Sequence, residues 1–90
     1  MDITVFNKGA GKVNIAWSAS WDANAFEVIV SKDTIEPDRI EEIEAETPEK
    51  IAYHSQVSGN VQNCDVSLES GEFYLVYIRS ICDGEMSAWS

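Results

Sequence analysis

The chain has 90 residues, 44% hydrophobic and 10% aromatic, which is one domain of ordinary globular composition with no room for a second core. Acidic residues outnumber basic ones 16 to 6, a formal net charge of −10. Nucleic acid is therefore excluded as a favoured partner, because phosphate binding rests on Lys and Arg, and an anionic membrane surface is disfavoured for the same reason. No apolar run approaches the ~18–20 residues needed to span a bilayer. The opening Met1-Asp2-Ile3-Thr4-Val5-Phe6 alternates and lacks a basic stretch, so no secretory leader is expected.

In chain order, alternating apolar residues mark strands repeatedly. Ile3 and Val5 begin a short first strand, and Asn7-Lys8-Gly9-Ala10-Gly11 reads as a turn. Val13, Ile15 and Trp17 alternate with Lys12, Asn14 and Ala16 in a half-buried second strand. Ala19-Ser20-Trp21-Asp22-Ala23-Asn24 is a loop, and Phe26, Val28 and Val30 alternate with Glu27, Ile29 and Ser31 in a third strand.

Residues 32–50 break this period. They hold 8 of the 16 acids, opposed by Lys32, Arg39 and Lys50. Pro37 suits the first turn of a helix, and the acids after it favour the positive end of the helix dipole. Ile40 and Ile43 share a face at i, i+3. A short helix over 37–45 is expected, closed before Pro48 because a residue preceding proline avoids the helical region. It is too short to be stable alone. The segment reads as a solvated acidic insertion pinned by its two isoleucines, since charge runs usually face water.

The strand pattern returns at Ile51-Ala52-Tyr53-His54-Ser55-Gln56-Val57, followed by a Ser58-Gly59-Asn60 turn. Cys64, Val66 and Leu68 give a fifth strand, and Glu69-Ser70-Gly71-Glu72 turns the chain into the longest strand, residues 73–82. Asp83-Gly84-Glu85 is a further turn signal. Six short strands with turns between them predict an all-β sandwich with one helical interruption.

Three motifs resemble the fibronectin type III family. The second strand ends in tryptophan (Val13-Asn14-Ile15-Ala16-Trp17), and the third begins with an aromatic (Phe26-Glu27-Val28-Ile29-Val30). Leu68-Glu69-Ser70-Gly71-Glu72-Phe73-Tyr74 is similar to the family's Leu-x-Pro-Gly-x-x-Tyr turn, with Ser70 in the proline's place. The run Tyr77-Ile78-Arg79-Ser80-Ile81-Cys82-Asp83-Gly84, then Ser87-Ala88-Trp89-Ser90, is similar to a bacterial form of the last hairpin. The resemblance implies an immunoglobulin-like sandwich, with Tyr74 as a tyrosine corner whose hydroxyl bonds back to the turn. It departs from the family in its acidic insertion, in the tight Val66-x-Leu68 spacing, and at Ser90, where the seventh strand is due and is expected to be essentially absent.

Chemistry-bearing constellations are few. The one histidine, His54, lacks a nucleophile or partner in sequence and reads as a lone surface residue. No Gly-x-Ser-x-Gly elbow or phosphate loop occurs, and the carboxylates lack the apolar enclosure that raises a general acid's pKa. No catalytic residue, cofactor or metal is expected. Cys64, Cys82 and His54 match no zinc spacing, and the acidic run has no Asp-x-Asp-x-Asp-Gly loop for calcium. Both cysteines follow the inward parity of their strands. Counted from the turn at Ser70 they are too far out of step for a disulfide, so two free thiols are expected.

The surfaces say more. Parity that buries Tyr74, Val76 and Ile78 sends Leu75, Tyr77, Arg79 and Ile81 to the outer face, where the third strand adds Ile29. Such a face is normally polar. Either the helix bearing Ile40 and Ile43 covers this stripe, or another protein chain does. Trp21 either anchors a partner or sugar at its end of the domain, or caps the core against Met86.

The expected function is a non-catalytic structural or protein-binding module. As an accessory or decoration component of a larger surface assembly, a virion or cell-surface filament, it would meet a protein partner or a second copy through the 74–81 strand edge and outer face. The expected location is accordingly a virion or bacterial cell surface. The alternatives are a spacer or adhesion module of a longer secreted bacterial protein, and a carbohydrate-binding module resting on Trp21 and Trp89.

Overall fold

The computed structural model describes residues 2–9, 11–18, 23–68, 73–83, 85–86 and 89. Their alternating segments form strands β1 (Asp2–Gly9), β2 (Lys12–Ser18), β3 (Ala25–Ser31), β4 (Ile51–Ser58), β5 (Asn63–Ser67), β6 (Leu75–Cys82) and β7 (Glu85–Met86). All neighbours are antiparallel. One sheet runs β1-β2-β5 and the other β4-β3-β6-β7.

Period-2 parity builds the core between the sheets. Ile15, Trp17 and Val66 from one sheet meet Phe26, Val28, Val30 and Ile78 from the other, with Tyr74 and Val76 packed at the margin. Trp17 and Phe26, the aromatics that end β2 and begin β3, meet edge to face at a 5.6 Å centroid separation, the arrangement ring quadrupoles favour. Leu68, expected inside the fifth strand, follows β5 and still packs on this core.

β1 runs longer than the two apolar residues that announced it. It continues through Gly9, with an irregularity in pairing between Asn7 and Gly9. Gly9 and Gly11 have φ of 80° and 77°, the left-handed region that glycine enters without a Cβ penalty. A Cβ on Gly11 would also lie 2.8 Å from the Leu68 carbonyl oxygen. That contact is tight because the Leu68 N–H donates to the Gly11 carbonyl at 2.6 Å.

A two-residue strand, β7, follows β6 where the sequence predicts only a turn. Glu85 pairs with Cys82 and Met86 with Ile81. Two residues are too few to give a hydrophobic period, so no pattern announced it. Asp83 takes φ 49° in the turn between them, a conformation that Asp tolerates better than most side chains.

The acidic segment leaves and rejoins the four-stranded sheet at one place. Lys32 N–H donates to the Lys50 carbonyl at 2.7 Å, and the fully buried Ser31 hydroxyl lies 2.6 Å from the Asp33 carbonyl and 3.2 Å from that of Lys50. Between these ends lie a 3-10 turn (Pro37–Arg39), helix α1 (Ile40–Glu46) and a second 3-10 turn (Pro48–Lys50). The prolines open the two short turns, as their fixed φ allows. Among the described residues no helix is long and apolar enough to cross a membrane.

Candidate functional site

Across the outer side of the four-stranded sheet, register brings charged residues together. Glu27 on β3 stands directly opposite Arg79 on β6, and Ile29, two residues on, stands between Tyr77 of β6 and His54 of β4. Arg79 Nε and Nη2 both donate to Glu27 Oε1, at 2.7 and 2.6 Å. The other carboxylate oxygen of Glu27 lies 2.6 Å from His54 Nε2. On the far side of the imidazole, Nδ1 lies 2.7 Å from Glu44 Oε1 of α1. The row Glu44, His54, Glu27, Arg79 thus alternates in charge when the imidazole is protonated.

Burial alone would push Glu27 up, but the hydrogen bonds and charges of His54 and Arg79 outweigh it and hold the carboxyl below its usual range. Burial opposes the charged imidazole of His54 in the same way. The hydrogen bonds and charges of Glu27 and Glu44 again win, so its pKa rises above the usual value. His54 is therefore not the lone surface histidine that its sequence context suggested. Strand pairing and the helix supply its partners from 27 residues upstream and 10 residues upstream.

The same face carries the apolar stripe. Ile29 is fully buried, and Ile40 of α1 is 5% exposed. The cover is fastened at several points besides Glu44. The Ile35 N–H donates to the Tyr77 hydroxyl at 3.4 Å, and Trp89 Nε1 donates to Asp38 Oδ1 at 2.9 Å. Trp89 also presents its ring to the Arg79 guanidinium, 4.4 Å from the centroid, a cation–π contact. The chain's own acidic segment thus lies over part of the stripe, at Tyr77 and Arg79, and leaves Leu75 uncovered.

The residues expected to meet a partner consequently divide. Ile29 is corrected: a fully buried side chain presents nothing to another chain. Tyr77 and Arg79 are half-buried and already bonded to the acidic segment and Glu27. Ile81 is half-buried beside Met86 of β7. Leu75 stays open to solvent at 42% exposure. Trp21 and the turn at 69–72, with Ser70, lie outside the described residues. Tyr74 is half-buried and packs against the core margin.

Other exposed apolar side chains escaped the sequence reading. Phe73 is 93% exposed next to Leu75, and Met86 projects from β7. Val5 and Phe6 are exposed on the edge strand β1. Parity gives the side of a strand but not whether anything covers it, so only the assembled sheets reveal these.

The chemistry available here is limited by pairing. Both imidazole nitrogens of His54 face carboxylates, which leaves neither as a base for a substrate. Among the described residues no group of three or more His, Cys, Asp or Glu is placed to hold a metal ion. Cys64 and Cys82 are free thiols, Cys64 half-buried and Cys82 exposed. Burial pushes the Cys64 thiol up, which disfavours the thiolate needed for nucleophilic reactivity. No protein-family model and no curated protein matches the chain.

Proposed function

We propose that this chain is a non-catalytic, protein-binding β-sandwich of the fibronectin type III kind, an accessory component of a larger surface assembly such as a virion or cell-surface filament. It joins its neighbour by strand addition along the outer edge of β6.

The observation that carries this reading is the pairing of β6. It is bonded to β3 along residues 75–81, whereas β7 covers only Ile81 and Cys82. Among the described residues no strand pairs with the other edge over residues 75–78. Backbone donors and acceptors on such an edge are a template for a further strand. Exposed Phe73, Leu75 and Met86 flank it and add apolar area for an incoming chain.

Support for the sandwich family is the arrangement of seven strands in two sheets among the described residues, around Trp17 and Phe26, together with the sequence motifs at Trp17, Phe26 and Tyr74. A sugar-binding role is weaker on this reading, because the Trp89 ring is already occupied by Arg79 and its N–H by Asp38.

Hydrogen exchange on the isolated chain and on its assembled state tests the proposal. The alternate amides of residues 75–78 that face away from β3 should become protected on assembly. Equally fast exchange of these amides in both states rules strand addition out. Sedimentation over a range of concentrations then distinguishes a second copy from a different protein as the donor.

A further inference from the structure

A neutral imidazole has one N–H and one lone pair, whereas an imidazolium has two N–H donors. In this fold His54 has a carboxylate oxygen at 2.6 Å from one ring nitrogen and at 2.7 Å from the other. Only the charged ring satisfies both; a neutral one would point its lone pair at an oxygen anion. The two carboxylates belong to different parts of the molecule, Glu27 to the sheet and Glu44 to the acidic helix.

We propose that the 36–47 segment is a proton-operated clasp: a charged His54 holds α1 down on the outer face, and loss of that proton releases Glu44 and loosens the segment from the sheet.

The partners of Glu27 and Glu44 decide which bond fails. Glu27 is 12% exposed and keeps both Arg79 bonds whatever the state of His54, so the remaining N–H stays with it. Glu44 is 43% exposed and can return to water. Its helix gains nothing from keeping it, since the last turn of α1 contains no basic residue, and acids at that end oppose the helix dipole. The helix has only seven residues, too few to persist without its tertiary contacts.

A shallow cavity lies between the segment and the sheet, lined by Glu27 and His54, and the other charged groups facing it are Arg79 from β6, Asp38 and Arg39 from the preceding turn, and Glu41 and Glu42 from α1. Arg39 is bonded to Glu42 within the segment, so it travels with it. Of all these side-chain types, imidazole alone ordinarily titrates near neutrality.

The test uses the intact protein. With one histidine in the chain, its ring signal in an NMR titration needs no assignment. Exchange of the amides of residues 44–47, corrected for the intrinsic effect of pH, is followed over the same range. The wild-type midpoint should lie above that of free imidazole, and protection of these amides should fall as pH rises through it. Amides of Val28 and Ile78 should hold theirs throughout. E44Q should lower the midpoint and leave the 44–47 amides poorly protected at every pH. Each pH unit between the two midpoints corresponds to about a tenfold loss of wild-type protection. The proposal is overturned by a wild-type midpoint at or below that of free imidazole, by an E44Q midpoint that does not move, or by 44–47 amides that stay protected while His54 titrates.

Discussion

The four-stranded sheet buries its two faces by different means. On the inner face Phe26, Val28, Val30 and Ile78 meet Ile15, Trp17 and Val66 of the second sheet, apolar against apolar. On the outer face Ile29 is equally buried, but beside a row of alternating charges and under a seven-residue acidic helix. The inner face depends on area removed from water, which no change of pH alters. The outer face depends on ion pairs whose partners must all stay in place, and one of them is a histidine. A single strand, β3, thus contributes a robust contact on one side and a conditional one on the other.

Substitutions on β6 separate the faces most sharply. Ile78→Ala should cost about 3–5 kcal/mol in a denaturant titration, because the fully buried side chain leaves a cavity between the sheets. Its neighbour on the opposite face, Arg79→Met, should cost about 2–3 kcal/mol, by leaving Glu27 buried with His54 as its only remaining cationic partner. An Arg79→Met protein as stable as wild type would mean that the outer row contributes nothing and that the comparison fails.

Ile40→Ala probes the cover itself. It should cost about 2 kcal/mol, the low end for a buried isoleucine, since a short helix can settle into part of the space. The same variant should speed exchange over residues 40–47 without affecting the inner strands. At the far end of the fold, Gly11→Ala should cost about 1–2 kcal/mol, from the left-handed φ and the clash with the Leu68 carbonyl.

The smallest effect is the pH dependence, and its sign differs at the two ends. The folded pKa of Glu27 is lowered, so its contribution is present above its ordinary value of 4.5 and is lost as pH falls through the lowered one. The folded pKa of His54 is raised, so its contribution is complete below its ordinary value of 6.5 and is lost as pH rises through the raised one. Melting temperature should therefore peak between these values. E44Q should flatten the alkaline limb and spare the acid one.

The two faces also differ in how far they could be read in advance. Every member of the inner core shares a simple period-2 parity with its neighbours, so Trp17, Phe26, Val28, Tyr74, Val76 and Ile78 were legible as one cluster. The short helix announced itself through Pro37, Ile40 and Ile43, whereas Cys82, placed inward by parity, is exposed at the end of β6. The outer row was not legible. Glu27, His54 and Arg79 look like ordinary solvent-side residues within their own strands, and nothing local signals that the three strands lie side by side with these positions adjacent.

What the sequence by itself determined, then, is the mostly-β character, the inner core and the position of the acidic interruption, because each depends on spacing within a few residues. Tertiary structure alone decided that the interruption lies over the sheet, that Ile29 is sealed from any partner, that His54 sits between two carboxylates, and that residues 85–86 pair as a last strand. These features depend on strand order, register and the path of a loop, which bring together residues tens of positions apart. Local periodicity carries no information about such distances.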